Sequence, residues 1–192
     1  MPAQLKPHIV SVEDAALLLT KGQIVAYPTE SVWGLGCDPF NPQAIERLLT
    51  LKQRSVDKGL IVICSDLATL APLLDPLPSP IQDTLQASWQ SDQPPTTWLV
   101  PHLNYFSTWV TGSHSTVAIR LTHHPIAHAL CQAFGGSVLS TSANRAQQPP
   151  AKTLEDAFDV FGLDVAYVAG DVGDNDNPSR VIDALSQHTV RP

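Results

Sequence analysis

Residues 41–64 read NPQAIERLLTLKQRSVDKGLIVIC and place a helix, a polar connection and a strand in direct succession. Asn41 and Pro42 form a helix start: an asparagine side chain can accept from an orphaned backbone amide, and proline at the first helical position gives up no bond it would have made. Ile45, Leu48 and Leu49 then recur at helical spacing as a buried stripe, which predicts a helix running towards Lys52. The polar stretch Lys52 to Lys58 reads as a loop carrying Lys52, Arg54 and Lys58. Gly59 to Cys64 is an unbroken apolar run, the pattern of a strand buried on both faces. Such a strand needs helices on either side of its sheet, so the fold class is α/β.

Working outward, the same alternation continues in both directions. Ser11 with Asp14 has capping-box spacing, and Val12, Ala15, Ala16, Leu18 and Leu19 mark a helix that stops at Gly22. Gln23 to Tyr27 predicts a strand ended by Pro28, which leaves Thr29 and Glu30 at a strand end. Downstream, Asp66 to Leu74 and Ile81 to Trp89 are expected as helices around a proline-rich surface loop, Pro76 to Pro80. Thr97 to Val100 and Thr116 to Leu121 are expected strands; in the second, Val117, Ile119 and Leu121 share one face and Arg120 lies on the other. A helix from Pro125 to Phe134 is ended by Gly135-Gly136, and a strand from Ser137 to Thr141 runs into Ser142-Ala143-Asn144. Thr153 with Asp156 caps a helix to Phe161, Val165 to Val168 is a late strand, and Asp171 to Asn177 is a polar loop. The uneven order predicts a twisted mixed β-sheet flanked by helices, with a ligand cleft at strand ends. Residues 1–8 are read as an N-terminal extension and 9–192 as one domain.

Composition narrows the function. At 192 residues, with 43% hydrophobic and 15% charged residues, the chain can build one packed core. Eleven Lys and Arg against 18 Asp and Glu leave a net charge of −7, which argues against general phosphate-driven nucleic-acid binding. Cys37, Cys64 and Cys131 are an odd, widely spaced set and read as buried inert thiols in a reducing compartment. No signal-peptide core and no apolar run of about 18 residues occurs, so the expectation is a cytoplasmic protein with no membrane contact. The seven histidines lack zinc spacing, and no P-loop, dinucleotide fingerprint or GxSxG elbow is present.

What remains is a set of polar strand ends: Tyr27-Pro28-Thr29-Glu30, the cations Lys52, Arg54 and Lys58, then Arg120, and Ser140-Thr141-Ser142-Ala143-Asn144. The strings YPTESVWGLGCDP (27–39), LKQRSVDKGL (51–60), VAIRLTHHP (117–125), STSAN (140–144) and NPSRVID (177–183) occur in the order typical of the YrdC-like family. The chain resembles the short, single-domain bacterial members of that family, and the resemblance spans residues 9–191.

The resemblance implies a threonylcarbamoyl-AMP synthase activity. Threonine and bicarbonate or carbon dioxide give a carbamate that attacks the α-phosphate of ATP and releases pyrophosphate. The threonylcarbamoyl-adenylate opens the formation of tRNA threonylcarbamoyladenosine, at the base next to the anticodon of tRNAs reading codons that begin with A. By the same resemblance Lys52 and Arg54 are the catalytic pair on the ATP phosphates, with Lys58 as the next basic position. Thr29, Arg120 and Ser140 hold threonine, and Thr97, Ser142, Asn144 and Arg180 complete the nucleotide site. Magnesium is expected to arrive with ATP, with no protein-held metal and no tightly bound cofactor. The partners implied are ATP, L-threonine, bicarbonate and a downstream tRNA threonylcarbamoyl transferase complex, with weak or no direct tRNA binding.

One departure stands out: Pro94-Pro95-Thr96-Thr97 occupies the place of the family's Gly-Pro-x-Thr, and proline cannot take the positive φ open to glycine. Two rival readings are a module that recognises tRNA or double-stranded RNA by shape through the basic loop, and a carbamoyl transferase like the related domains of large hydrogenase-maturation proteins. Salt-dependent RNA binding without threonine-dependent ATP turnover would favour the first. The second normally comes with acylphosphatase and zinc-finger regions, which this sequence lacks.

Overall fold

The computed structural model describes residues 6–90, 93–175 and 177–192. In chain order the elements are β1 (Ile9–Val10), α1 (Val12–Thr20), β2 (Val25–Pro28), β3 (Trp33–Cys37), α2 (Pro42–Lys52), β4 (Ile61–Cys64), α3 (Ala71–Leu74), α4 (Ser79–Ser88), β5 (Thr96–Pro101), α5 (Thr108–Thr111), β6 (Thr116–Leu121), α6 (Pro125–Phe134), β7 (Val138–Ser142), α7 (Leu154–Phe161), β8 (Ala166–Val168), β9 (Arg180–Asp183) and β10 (Thr189–Arg191). The strands form one mixed sheet ordered β1-β8-β2-β3-β7-β4-β6-β5-β9-β10. β4 runs parallel to β6 and antiparallel to β7, so the buried apolar run sits mid-sheet.

Local chemistry explains the helix ends. The Ser11 side chain accepts from the Asp14 amide, and the Asn41 side chain accepts from the Ala44 amide. Thr153 and Asp156 complete a reciprocal capping box. Gly135 closes α6 in the left-handed conformation at φ 78°, where glycine carries no Cβ penalty.

The two faces of the sheet are covered unequally. On one, α2, α3, α4 and α7 bury Leu35, Val62, Cys64, Trp98, Val117, Ile119 and Leu139 against Ile45, Leu48, Leu73, Leu85 and Phe161. On the other, α1 and α6 cover Val25, Tyr27, Ile63, Val138 and Val168 with Ala15, Leu19, Ala127 and Leu130. That second layer stops at Val138 and Ile63. The next positions on the same face, Ser140 and Ile61, lie at the edge of that layer, with Ile61 still packed against it, and line a cavity. All three cysteines are free and buried, and burial pushes each thiol up to about 12.

Several local expectations change. Pro28 ends β2 as its last paired residue, opposite Trp33, rather than lying just beyond the strand. Thr29 N donates to Val32 O at 3.0 Å, so the Pro28–Trp33 pair falls at a site that asks no amide of proline. β3 was not expected, because its WGLGC sequence carries two glycines. Gly36 is there for space: a Cβ would lie 2.8 Å from Leu139 O and 2.8 Å from Tyr27 Cε1. The short edge strands β1 and β10, and β9 inside β10, had no legible pattern either. Asp66 to Leu74 divides into a 3₁₀ turn, Leu67–Leu70, followed by α3. Residues 1–5 of the expected N-terminal extension and Asp176 of the polar loop lie outside the described residues. Among the described residues no helix is long and apolar enough to cross a membrane.

Candidate functional site

The uncovered stretch of sheet is the floor of a cavity of about 610 Å³. Strand register sets that floor. Ser140 faces Ile61, Ile61 faces Ala118 and Ala118 faces Leu99, so one row of side chains crosses β7, β4, β6 and β5. The row holds small residues where space is needed. Gly34, beside it on β3, would place a Cβ 3.2 Å from Thr29 Cγ2 and 3.5 Å from Ser140 Oγ. The cleft therefore lies across the open face of the sheet as well as at its strand ends.

Cations dominate the walls. Arg54, Lys58, Arg120, Lys152 and Arg191 line the cavity, and among the described residues its lining contains no aspartate or glutamate. Arg54 Nη2 donates to Gly59 O at 2.9 Å while its Nε is buried without a partner. Burial lowers the Arg54 pKa. Arg191 donates from Nε and Nη2 to Ser179 O, at 3.1 and 2.7 Å, which fixes it beside Ser179. Burial, and then the Arg120 charge, lower the Arg191 pKa.

Arg120 is held from behind. Its Nη2 lies 3.3 Å from Glu30 Oε2, and both side chains are nearly buried. Glu30 Oε1 accepts from the Thr122 hydroxyl at 2.7 Å and from His123 N at 3.3 Å. Burial works against this carboxylate's charge, yet Arg120, Thr122 and the neighbouring amides together hold its pKa below the ordinary value.

Of the residues singled out in the sequence, Thr29, Arg54, Lys58, Arg120, Ser140 and Ser142 converge on this cavity. Thr29 Oγ1 donates to Val32 O at 2.7 Å, closing the β2–β3 turn with its methyl group towards Gly34. Four others do not line it. Lys52 is the last residue of α2 rather than a loop residue, and is only 3% exposed. Its ammonium donates to Ser142 O, to Asn144 O at 2.7 Å and to Asn144 Oδ1 at 3.4 Å. Burial, followed by the Arg54 charge, pushes the Lys52 pKa down to about 8. Asn144 sits in the same knot, accepting from Ser142 Oγ at 2.6 Å and donating to Gln148 O at 2.6 Å. Thr97 is fully buried, its hydroxyl 2.8 Å from Ser179 Oγ, so Ser179 stands between it and the cavity. Arg180 alternates with Val181, a lining residue, and therefore projects to the other face, where it donates to Thr96 Oγ1 at 3.0 Å. The Pro94-Pro95 turn is accommodated without glycine: Pro95 O accepts from Arg180 N at 3.0 Å.

Sequence reading missed Lys152, Ser179 and Arg191 in the lining. Lys152 precedes Thr153, which was legible only as a helix cap, and Arg191 is an isolated arginine near the chain end. Neither carries a local signal.

Known proteins are similar to this chain in sequence and fold. The Sua5/YciO/YrdC family, described as "Telomere recombination", matches residues 17–192. A protein of Acinetobacter baumannii named threonylcarbamoyl-AMP synthase is 46% identical over 185 residues, covering 95% of this chain and 98% of that protein. The crystal structure of P. abyssi Sua5 complexed with L-threonine superposes with a TM-score of 0.82 at 26% identity. It covers 90% of this chain, which spans about half, 50%, of that longer protein. E. coli YciO shares the fold, with a TM-score of 0.71 at 22% identity over 94% of this chain and 90% of its own. A family match over nearly the whole sequence, together with a full-length relative of this identity, shows that the chain belongs to the Sua5/YciO/YrdC family.

Proposed function

We propose that this protein is a threonylcarbamoyl-AMP synthase acting in the cytoplasm. L-threonine and bicarbonate, or carbon dioxide, yield the carbamate on the threonine nitrogen. A carbamate oxygen then bonds to the α-phosphorus of ATP as the bond to the bridging oxygen breaks, and pyrophosphate leaves. The observation that carries this reading is the cavity itself: five cations, with the hydroxyl side chains of Thr29, Ser140 and Ser142, around an open sheet face, and no carboxylate in the described lining.

Such chemistry asks the protein for placement and for positive charge against developing phosphate charge, since the nucleophile belongs to the substrate. Arg54, Lys58, Lys152 and Arg191 are assigned to the phosphates, where charge-assisted hydrogen bonds are strongest. Arg120 presents a planar fork suited to the threonine carboxylate, with Thr29 and Ser140 beside it. Ser142 faces the nucleotide. Lys52 and Asn144 act through the turn that carries Ser142, while Thr97 and Arg180 brace the wall formed by Ser179. Magnesium comes with ATP, whose phosphate oxygens are the hard ligands it prefers. The adenylate passes to a separate tRNA threonylcarbamoyl transferase complex, and this chain's own contact with tRNA is weak, a reading its net charge of −7 supports.

The test is synthesis. Purified, nuclease-treated protein is incubated with ATP, magnesium, bicarbonate and labelled threonine, and the labelled adenylate and pyrophosphate are measured. Formation of both in equal amounts, dependent on threonine and bicarbonate, is expected. ATP turnover independent of threonine, or salt-sensitive tRNA binding without turnover, would overturn the assignment.

A further inference from the structure

Arg120 is oriented without being used up. A guanidinium has five N–H donors, yet among the described residues its one polar side-chain contact is the 3.3 Å approach of Nη2 to Glu30 Oε2. Arg120 Nε is buried and has no partner, and Glu30 Oε2 likewise receives no hydrogen bond of good geometry. The pair is an electrostatic clamp that leaves the donors on the cavity side for a ligand.

Glu30 itself is firmly placed. Its other oxygen is fixed by the Thr122 hydroxyl at 2.7 Å and the His123 amide at 3.3 Å, both on the segment just after β6 that carries Arg120. Its backbone is also built in. Glu30 O accepts from Asn175 N at 3.1 Å, and Gly173 lies so close that a Cβ there would come within 2.8 Å of the same oxygen. The carboxylate therefore joins the β2–β3 turn, which presents Thr29, to the end of β6, which presents Arg120. Without its charge, Arg120 and Arg191 would face the same cavity as uncompensated like charges, and Arg120 would lose the contact that selects its rotamer.

We infer that Glu30 is a positioning residue for substrate: it holds the Arg120 guanidinium, and with it the Thr29 turn, in the geometry that receives the amino-acid carboxylate. This deepens the reading under Proposed function and rests on its assignment of Arg120 to threonine. Removing a nearby negative charge should, on Coulomb attraction alone, tighten binding of an anion to Arg120. A positioning role predicts the opposite sign, because a mobile guanidinium loses its paired hydrogen bonds to the ligand.

The experiment is a double-mutant cycle on the full chain with Glu30→Gln, Arg120→Ala and the pair, measuring KM for threonine, KM for ATP and kcat, alongside thermal unfolding. Glu30→Gln should raise the threonine KM about tenfold, about the loss of one charge-assisted hydrogen bond, and move the ATP KM less than about twofold. Added to Arg120→Ala it should change the threonine KM no further. Thr122→Val, which touches neither Arg120 nor the cavity, should shift the threonine KM in the same direction by a smaller factor, and stands in if Glu30→Gln does not fold. An unchanged or lowered threonine KM in Glu30→Gln, equal effects on both substrates, or effects of the two substitutions that multiply would overturn the inference. Arg120→Ala raising the ATP KM alone would instead overturn the assignment of Arg120 to threonine, leaving synthesis itself untouched.

Discussion

The ammonium of Lys52 donates to the backbone carbonyl of Asn144 at 2.7 Å, tying the C-terminal end of α2 to the turn that follows β7. Ala146 N returns a bond to Lys52 O at 2.9 Å, so the connection runs both ways. A cation that the sequence reading places in a loop on the ATP phosphates is thus a strut beneath the wall that carries Ser142.

Lys52→Met should therefore destabilise the fold as well as lower activity. It leaves the Asn144 carbonyl without a donor, at about 1–3 kcal/mol, while the Ser142 carbonyl keeps the Asn144 amide, so a loss of about 1–3 kcal/mol is expected from denaturant unfolding. Arg54→Ala should lose at least about tenfold in kcat/KM with a much smaller change in stability, because its Nε is unpartnered and its charge faces the cavity. Equal stability of the two variants would show that the Lys52 contacts carry little free energy.

Two glycines two positions apart on β3, and so on the same face, should respond differently. Gly36→Ala sets a Cβ 2.8 Å from a backbone oxygen and the Tyr27 ring, neither free to move, and should destabilise by about 1–3 kcal/mol. Gly34→Ala meets Thr29 Cγ2 at 3.2 Å and should fold, but with a raised KM for threonine, since it narrows the space between Thr29 and Ser140. Thermal unfolding beside steady-state kinetics separates the two effects.

Thr29→Ser keeps the hydroxyl that donates to Val32 O, and Thr29→Val removes it. The valine variant should lose about 1 kcal/mol through the opened turn and raise the threonine KM far more than the ATP KM. The serine variant should keep the stability and show a milder kinetic change. A valine variant with unaltered threonine KM would place threonine elsewhere in the cavity.

Acid should reveal the Glu30 clamp. Its folded pKa is held below the ordinary value of 4.5, so the folded state binds its proton more weakly than the unfolded chain does. The stability this provides is fully present above pH 4.5 and is lost as pH falls through the lower, folded value. The stability difference between wild type and Glu30→Gln should thus be constant from pH 7 down to about 5 and shrink below that. A difference independent of pH down to 3 would show that the charge of Glu30 is not what stabilises the fold.

Much of the fold was legible because its signals are local. The Asn41-Pro42 start, the run Gly59 to Cys64, the caps at Ser11 and Thr153, and the alternation in Thr116 to Leu121 each follow from contacts among residues a few positions apart. The same patterning, with the charge balance and the five ordered motifs, determined an α/β chain with a mixed sheet and marked Thr29, Arg54, Lys58, Arg120, Ser140 and Ser142 as candidates. Tertiary structure alone decided the rest. Whether a cation faces a ligand or supports the wall behind it depends on partners far away in sequence, as with Lys52 and Asn144, 92 residues apart. Whether a glycine-rich segment forms a strand depends on what presses against it, as Tyr27 and Leu139 do on Gly36. Arg191 entered the cavity, and Arg180 left it, through strand parity and register, while Lys152 reaches it from the loop before α7. These are set by pairing across the whole sheet, and no window of neighbouring residues encodes them.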